Sequence, residues 1–194
     1  MAALQIVWFK RDLRIVDHQP LLAAAERGLV LPLYVVEPEL WRQPDASERQ
    51  WMFCRESLLE LRQALADRGQ PLVVRAGDVV QVLERARRQF GIAGLWSHEE
   101  TGNGWTYQRD KRVGAWAREH GIVCTEIPQF GVMRRMRSRN GWAKRWEVQM
   151  TEPITPEPAA LQALEGIDPG VIPERPCSDL LSDACPQRQI GGRS

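Results

Sequence analysis

The stretch Leu4-Gln5-Ile6-Val7-Trp8-Phe9-Lys10-Arg11-Asp12-Leu13-Arg14-Ile15-Val16-Asp17-His18-Gln19-Pro20-Leu21 decides the fold. Its first six residues form a β-rich apolar run, the pattern of a strand covered on both faces. The run breaks off in a burst of charge, Lys10-Arg11-Asp12. Asp17 stands where a helix cap belongs and Pro20 where a first helical turn tolerates proline. A helix is therefore expected through Arg27, closed by Gly28. Residues 29–36 are again an apolar run. Two such strands joined by a helix must be parallel, because the crossover returns the chain to the same end of the sheet.

The same alternation continues outward. Residues 47–68 predict a long helix, with Ser47 as cap and Trp51, Cys54, Leu58, Leu61 and Leu65 at helical spacing. Residues 72–74 predict a third strand. Residues 78–90 predict a helix with Val79, Val82, Leu83, Ala86 and Phe90 on one face. Residues 93–97, 105–120 and 122–127 predict a fourth strand, a fourth helix and a fifth strand. The reading is an α/β fold: a doubly wound, five-stranded parallel sheet, order 3-2-1-4-5, with helices on both faces. Ligands of such sheets lie beyond the carboxyl ends of the strands, at the switch point. Four segments line that edge, at residues 10–14, 37–41, 76–78 and 98–105.

Composition narrows the function. The chain has 194 residues, 43% hydrophobic and 26% charged, the balance of one globular α/β domain with a sizeable core. No apolar run approaches the length of a membrane helix, and the first residues lack the layout of a signal peptide, so a cytoplasmic protein is the expectation. The four cysteines form no Cys-x-x-Cys pair and the three histidines show no ligand spacing, so no metal site is expected. Charge is unevenly spread. Residues 1–127 hold 17 basic and 17 acidic side chains, residues 128–146 hold six basic and none acidic, and residues 147–194 hold three basic and eight acidic, with seven of the 13 prolines. The chain therefore divides into an α/β body (1–130), a basic, Trp-containing segment (131–150) and a Pro-rich acidic linker (151–194). The linker is expected to be mobile on its own.

Three motifs carry candidate chemistry. The first βα turn, Lys10-Arg11-Asp12-Leu13-Arg14, is no Gly-rich phosphate loop, which argues against a conventional dinucleotide site. Its charges either meet a ligand or close a local ion-pair cluster, with Arg11 or Arg14 on Asp12 or Asp17. The fourth βα segment, Glu99-Glu100-Thr101-Gly102-Asn103-Gly104, offers two carboxylates to a heterocycle and a close backbone approach, or simply opens a helix. The basic segment interleaves Arg134, Arg135, Arg137 and Arg139 with Trp142 and Trp146. This suits weak, salt-sensitive nucleic-acid contact, or a surface loop whose tryptophans pack on the body or a partner. No nucleophile–base pair is in view, so no catalytic residue is assigned.

The opening stretch resembles the DNA photolyase/cryptochrome family, whose pattern runs Trp-Phe-Arg-Arg-Asp-Leu-Arg-x-x-Asp-Asn-x-x-Leu. Further likeness lies in residues 33–38, in Arg49 ahead of Ser57-Leu58, in residues 72–78, in Arg109-Asp110 and in Gly191-Gly192. The resemblance implies an N-terminal antenna domain, joined in the family to a helical domain that holds the catalytic FAD and the pocket for a flipped pyrimidine dimer. FAD and DNA are thus expected only for a full-length parent, with that helical domain as the partner and this portion non-catalytic and monomeric. The antenna pocket maps onto Lys10, Arg11, Asp12, Val35, Val36, Glu37, Glu99 and Glu100. The resemblance favours an antenna flavin or deazaflavin over folate: folate-binding members open the fourth helix with Asn-Glu and carry a histidine before the second, where this chain has Trp105-Thr106 and Pro44. Some members carry no antenna, so an empty pocket is the alternative the resemblance leaves open. Two other classes remain open: a stand-alone nucleotide-binding α/β module, and an interaction domain that docks a helical partner through residues 128–150.

Overall fold

A computed structural model describes residues 3–129, 132, 138, 140–180, 182 and 185–192. In chain order the elements are β1 (Leu4–Phe9), α1 (Gln19–Ala25), β2 (Leu29–Val36), α2 (Pro38–Trp41), α3 (Glu48–Ala66), β3 (Val73–Ala76), α4 (Val79–Phe90), β4 (Gly94–His98), α5 (Gly104–Glu119), β5 (Val123–Ile127) and α6 (Trp142–Met150). The five strands are parallel and ordered β3-β2-β1-β4-β5, as the alternation of strands and helices predicts.

Strand periodicity sorts the core into two layers. From β1, Val7 and Phe9 join Val30, Tyr34 and Val36 of β2 against α1 and α3, where Leu21, Trp51, Leu58 and Leu65 are buried. The alternate residues Leu4, Ile6 and Trp8 join Leu31, Leu33 and Val35 against α4 and α5, through Val79, Leu83, Val113 and Trp116. β1 is buried along its whole length, which explains its unbroken apolar run. β5 is the sheet edge and is largely exposed.

Two local details depart from expectation. The cap of α1 is His18, not Asp17: the His18 side chain accepts the Leu21 N–H, and Asp17 takes a left-handed φ of 55°, which aspartate tolerates better than most residues. The short helix α2, opened by Pro38 at its first turn, was not anticipated.

Beyond α6 the chain packs on the body. Proline-rich chain has few N–H groups for its own ladder, and here its carbonyls serve the body's donors. The Val30 N–H donates to Gln162 O (3.1 Å) and the Val74 N–H to Pro169 O (2.8 Å), while the Leu161 N–H donates to Arg68 O (2.7 Å). The Trp51 indole donates to Glu174 O (2.8 Å). Leu161, Ile172 and Leu180 are buried in the α1/α3 layer. Gly170 makes a close approach. Its φ is +72°, and a Cβ there would collide with the Val74 carbonyl. Gly170→Ala is expected to lower stability by about 1–3 kcal/mol in urea unfolding, through backbone strain and a displaced strap. An unchanged midpoint would mean that the strap contributes nothing to the fold.

Candidate functional site

The site is built on the turn after β1. The Asp12 carboxylate is 3% exposed. It accepts the Lys10 backbone N–H (2.9 Å) on one oxygen. His18 Nε2 (2.9 Å) and His98 Nδ1 (2.6 Å) lie against the other. His18 Nδ1 accepts the Leu21 N–H (3.1 Å), so its proton sits on Nε2 and points at Asp12. Burial works to raise the Asp12 pKa, but the hydrogen bonds and charge of His18 and His98 prevail and hold it well below the usual carboxylate range. Burial pushes His18 down, against the pull of Asp12. Ligand atoms of Asp12, His18 and His98 lie within 4.8 Å of one another. A metal on His18 Nε2 would nevertheless force the proton onto Nδ1, against the Leu21 N–H. The cluster therefore reads as a hydrogen-bond anchor for the β1 turn rather than a metal centre.

Beside it lies a second polar cluster, gathered by Arg109 of α5. Its guanidinium is buried and donates to Glu37 Oε2 (3.0 Å), to Asp110 Oδ1 (3.0 and 2.9 Å) and to Glu100. It also lies 4.8 Å from the Trp8 ring centre, with the Lys10 ammonium 4.4 Å from the same centre. Lys10 Nζ bridges Asp110 (3.2 Å), Glu126 (3.3 Å) and the His98 carbonyl (3.2 Å). Exposed Arg11 pairs with Glu100 (3.0 Å). The local pairing expected within the turn is thus limited to Arg14 with Asp17 (3.6 Å).

Glu37 is the strained member. Burial pushes its carboxyl up to about 7, against the attraction of Arg109, and its Oε1 has no hydrogen-bond partner. With the folded pKa above the unfolded one, the native state binds the extra proton, so stability falls as pH rises from about 4.5 to 7. Glu37→Gln removes this titration. The variant is expected to gain on the wild type by about 1–3 kcal/mol between pH 5 and 8, measured as the difference in urea midpoint. Parallel pH profiles would refute the assignment.

These groups border a cleft of roughly 520 Å³ at the carboxyl edge of β1 and β2. Trp8, Phe9, Tyr34 and Val35 form its sheet side, Leu40, Trp41 and Ala46 one wall, and Phe53 and Cys54 of α3 another. Lys10, Arg11, Arg49, Arg109 and Arg188 supply positive charge, and Glu37, Asp45 and Glu100 negative. The Trp41 indole N–H is buried without a partner, as is Glu37 Oε1. Burial pushes the Cys54 thiol up to about 11, so it is a neutral wall rather than a nucleophile. The cleft offers recognition: flat apolar faces rimmed by charges of both signs, the makeup of a small-molecule site.

Of the residues singled out in the sequence, Lys10, Arg11, Val35, Glu37 and Glu100 line this cleft. Asp12 sits in the anchor beneath it. Val36 faces the α1/α3 layer, and the Glu99 N–H donates to Ile127 O (2.8 Å). Arg134, Arg135, Arg137 and Arg139 lie outside the described residues. Sequence reasoning missed Arg109 as the organiser, and Trp41 and Ala46 as a wall. Among the described residues no helix is long and apolar enough to cross a membrane.

Comparison with known proteins matches this architecture. The DNA photolyase family matches residues 5–134, and the chain belongs to that family. A cryptochrome DASH of Gloeobacter violaceus is 27% identical over 203 aligned positions, covering 95% of this chain and 40% of its own length. A deoxyribodipyrimidine photo-lyase of Salmonella typhimurium is 41% identical over 70 residues, 35% of this chain and 15% of the relative. Among solved structures, a class III photolyase from Agrobacterium tumefaciens superposes with a TM-score of 0.69 at 23% identity, over 85% of this chain and 36% of its own. An archaeal photolyase from Sulfolobus tokodaii, described as holding two FAD molecules and implying a novel light-harvesting cofactor, gives 0.68 at 22% identity, over 84% of this chain and 39% of its own. The chain thus spans less than half the length of each of these relatives.

Proposed function

We propose that this chain is the antenna portion of a photolyase- or cryptochrome-type flavoprotein, seating a planar chromophore in the cleft beside β1 and β2. The observation that carries this reading is the meeting of flat apolar walls, Trp8, Phe9, Tyr34, Trp41 and Phe53, with a rim of charged side chains in one cleft at the carboxyl edge of β1 and β2. A planar ring with a polar edge, as flavins and deazaflavins have, suits such walls and such a rim. Arg11 and Arg49 suit a phosphate or phenolate on the same molecule. Light harvesting needs a rigid, dry seat rather than reactive side chains, which fits the inert Cys54. Blue-light repair of DNA, or light sensing, belongs in this reading to a whole protein with FAD in a C-terminal helical domain, and no catalytic step is assigned to these residues. The chain purified from cells that make flavins should show a visible absorption band that is lost on unfolding. A colourless chain that also fails to take up added flavin or deazaflavin would overturn the reading.

A second reading concerns partners. Trp142, Trp146 and Met150 recur at helical spacing on α6, the two rings stacked at 6.2 Å, and all three are exposed. This face suits docking against a helical domain.

A further inference from the structure

We propose that residues 188–192 are a latch that closes one wall of the cleft, held to α3 by Glu56. This deepens the proposed function, because it concerns access to the same cleft, but it does not depend on which molecule occupies it.

The latch is built from specific contacts. The Arg188 guanidinium meets the Glu56 carboxylate with both arms, at 3.0 and 2.5 Å. The Gly191 N–H donates to Glu56 Oε2 (2.7 Å) and the Gly192 N–H to Ser57 Oγ (3.0 Å). Ser57 Oγ in turn donates to the Phe53 carbonyl (2.9 Å). Gly191 is required by this close approach, because a Cβ there would collide with the Phe53 carbonyl, and Gly192 is required by its backbone, whose φ is +99°. The consequence for the cleft is direct: Arg188 and Gln189 line it beside Phe53 and Cys54. A single turn of α3 thus presents Phe53 and Cys54 to the cleft and Glu56 and Ser57 to the latch.

The latch is also of a kind that can open. Its hold is polar, with Glu56 and Arg188 side chains each 27% exposed. The contact is charge-assisted and bidentate, stronger than a neutral hydrogen bond yet without the apolar burial that makes a core irreversible. Opening would widen access to Cys54, which is half-buried beside the already exposed Phe53, and leave the sheet untouched.

Cys54 provides a readout that needs no ligand. The rate at which N-ethylmaleimide modifies Cys54, followed by peptide mass spectrometry at fixed pH, measures opening of the cleft, and exposed Cys124 is the internal reference. Glu56→Ala keeps a good helix former within α3 while removing three contacts. Gly191→Ala forces the latch off by collision. Both are expected to raise the Cys54 rate about tenfold or more, with Cys124 and the thermal midpoint unchanged. Arg188→Lys, which keeps charge but loses the fork, should fall between. Unchanged Cys54 rates in both Ala variants would overturn the latch. The release rate of FMN, measured in the same variants, should rise in step. If FMN does not bind while the Cys54 rates rise, the latch stands and the chromophore reading falls.

Discussion

Arg109→Met is expected to lower the thermal midpoint of this chain by about 10 °C or more. The guanidinium is the shared partner of Glu37, Glu100 and Asp110, at a position 3% exposed. Methionine fills part of the volume but leaves three carboxylates around an apolar residue. Breaking a buried ion-pair cluster by removing one partner costs about 3–5 kcal/mol, and in a chain of this size each kcal/mol is worth about 2–4 °C. Arg109→Lys should recover little, because one ammonium cannot reach three carboxylates in the plane of a guanidinium fork. The deficit should shrink at pH 5. There the orphaned carboxyls take up protons, beginning with Glu37, which titrates near 7 even beside Arg109. Circular dichroism melts at pH 5 and 7.5 check both statements. A Met variant melting with the wild type, or a deficit that grows on acidification, would show that Arg109 is not the organising cation.

Ala46→Trp should abolish chromophore retention while leaving the fold intact. Ala46 lies between α2 and α3, lines the cleft and is only half-buried. An indole there projects into the open volume instead of into the packed core, so stability should change by less than about 1 kcal/mol. The space for a planar ring is filled, and affinity for FMN or a deazaflavin should fall about 100-fold or more. Equilibrium dialysis of the two proteins side by side measures this. Retention by the Trp variant would place the ligand elsewhere.

The fold was legible where burial leaves a pattern. The strands of a sheet covered on both faces read as apolar runs, and the amphipathic helices α3 and α4 announce their inward faces. Parallel sense followed from the crossovers. The strap over residues 155–180 left no such trace, because its contacts run through backbone carbonyls and scattered residues such as Leu161 and Ile172, which have no period. The α1 cap misled for a related reason. Asp17 is the better capping residue by type, but Asp12 takes the His18 Nε2 proton and turns Nδ1 toward the Leu21 N–H. In the site, Lys10, Arg11, Glu37 and Glu100 were legible because they follow strand ends at the switch point. Arg109 was not, since its role arises only when α5 folds back over turns as distant as 72 residues. Trp41 ends a short helix and Ala46 lies in the loop after it, and the sequence pattern marks neither.

The central claim is that the cleft beside β1 and β2 holds a planar chromophore. The most direct measurement is the ¹H–¹⁵N spectrum of the tryptophan indoles during titration with FMN and with a deazaflavin. Eight tryptophans are present, and single Trp→Phe variants assign them. Trp41 and Trp8, both in the cleft wall, are expected to shift on saturation with at least one of the two ligands, while Trp116 and Trp142 stay in place. Shifts confined to Trp142 and Trp146, or no shift with either ligand, would contradict it.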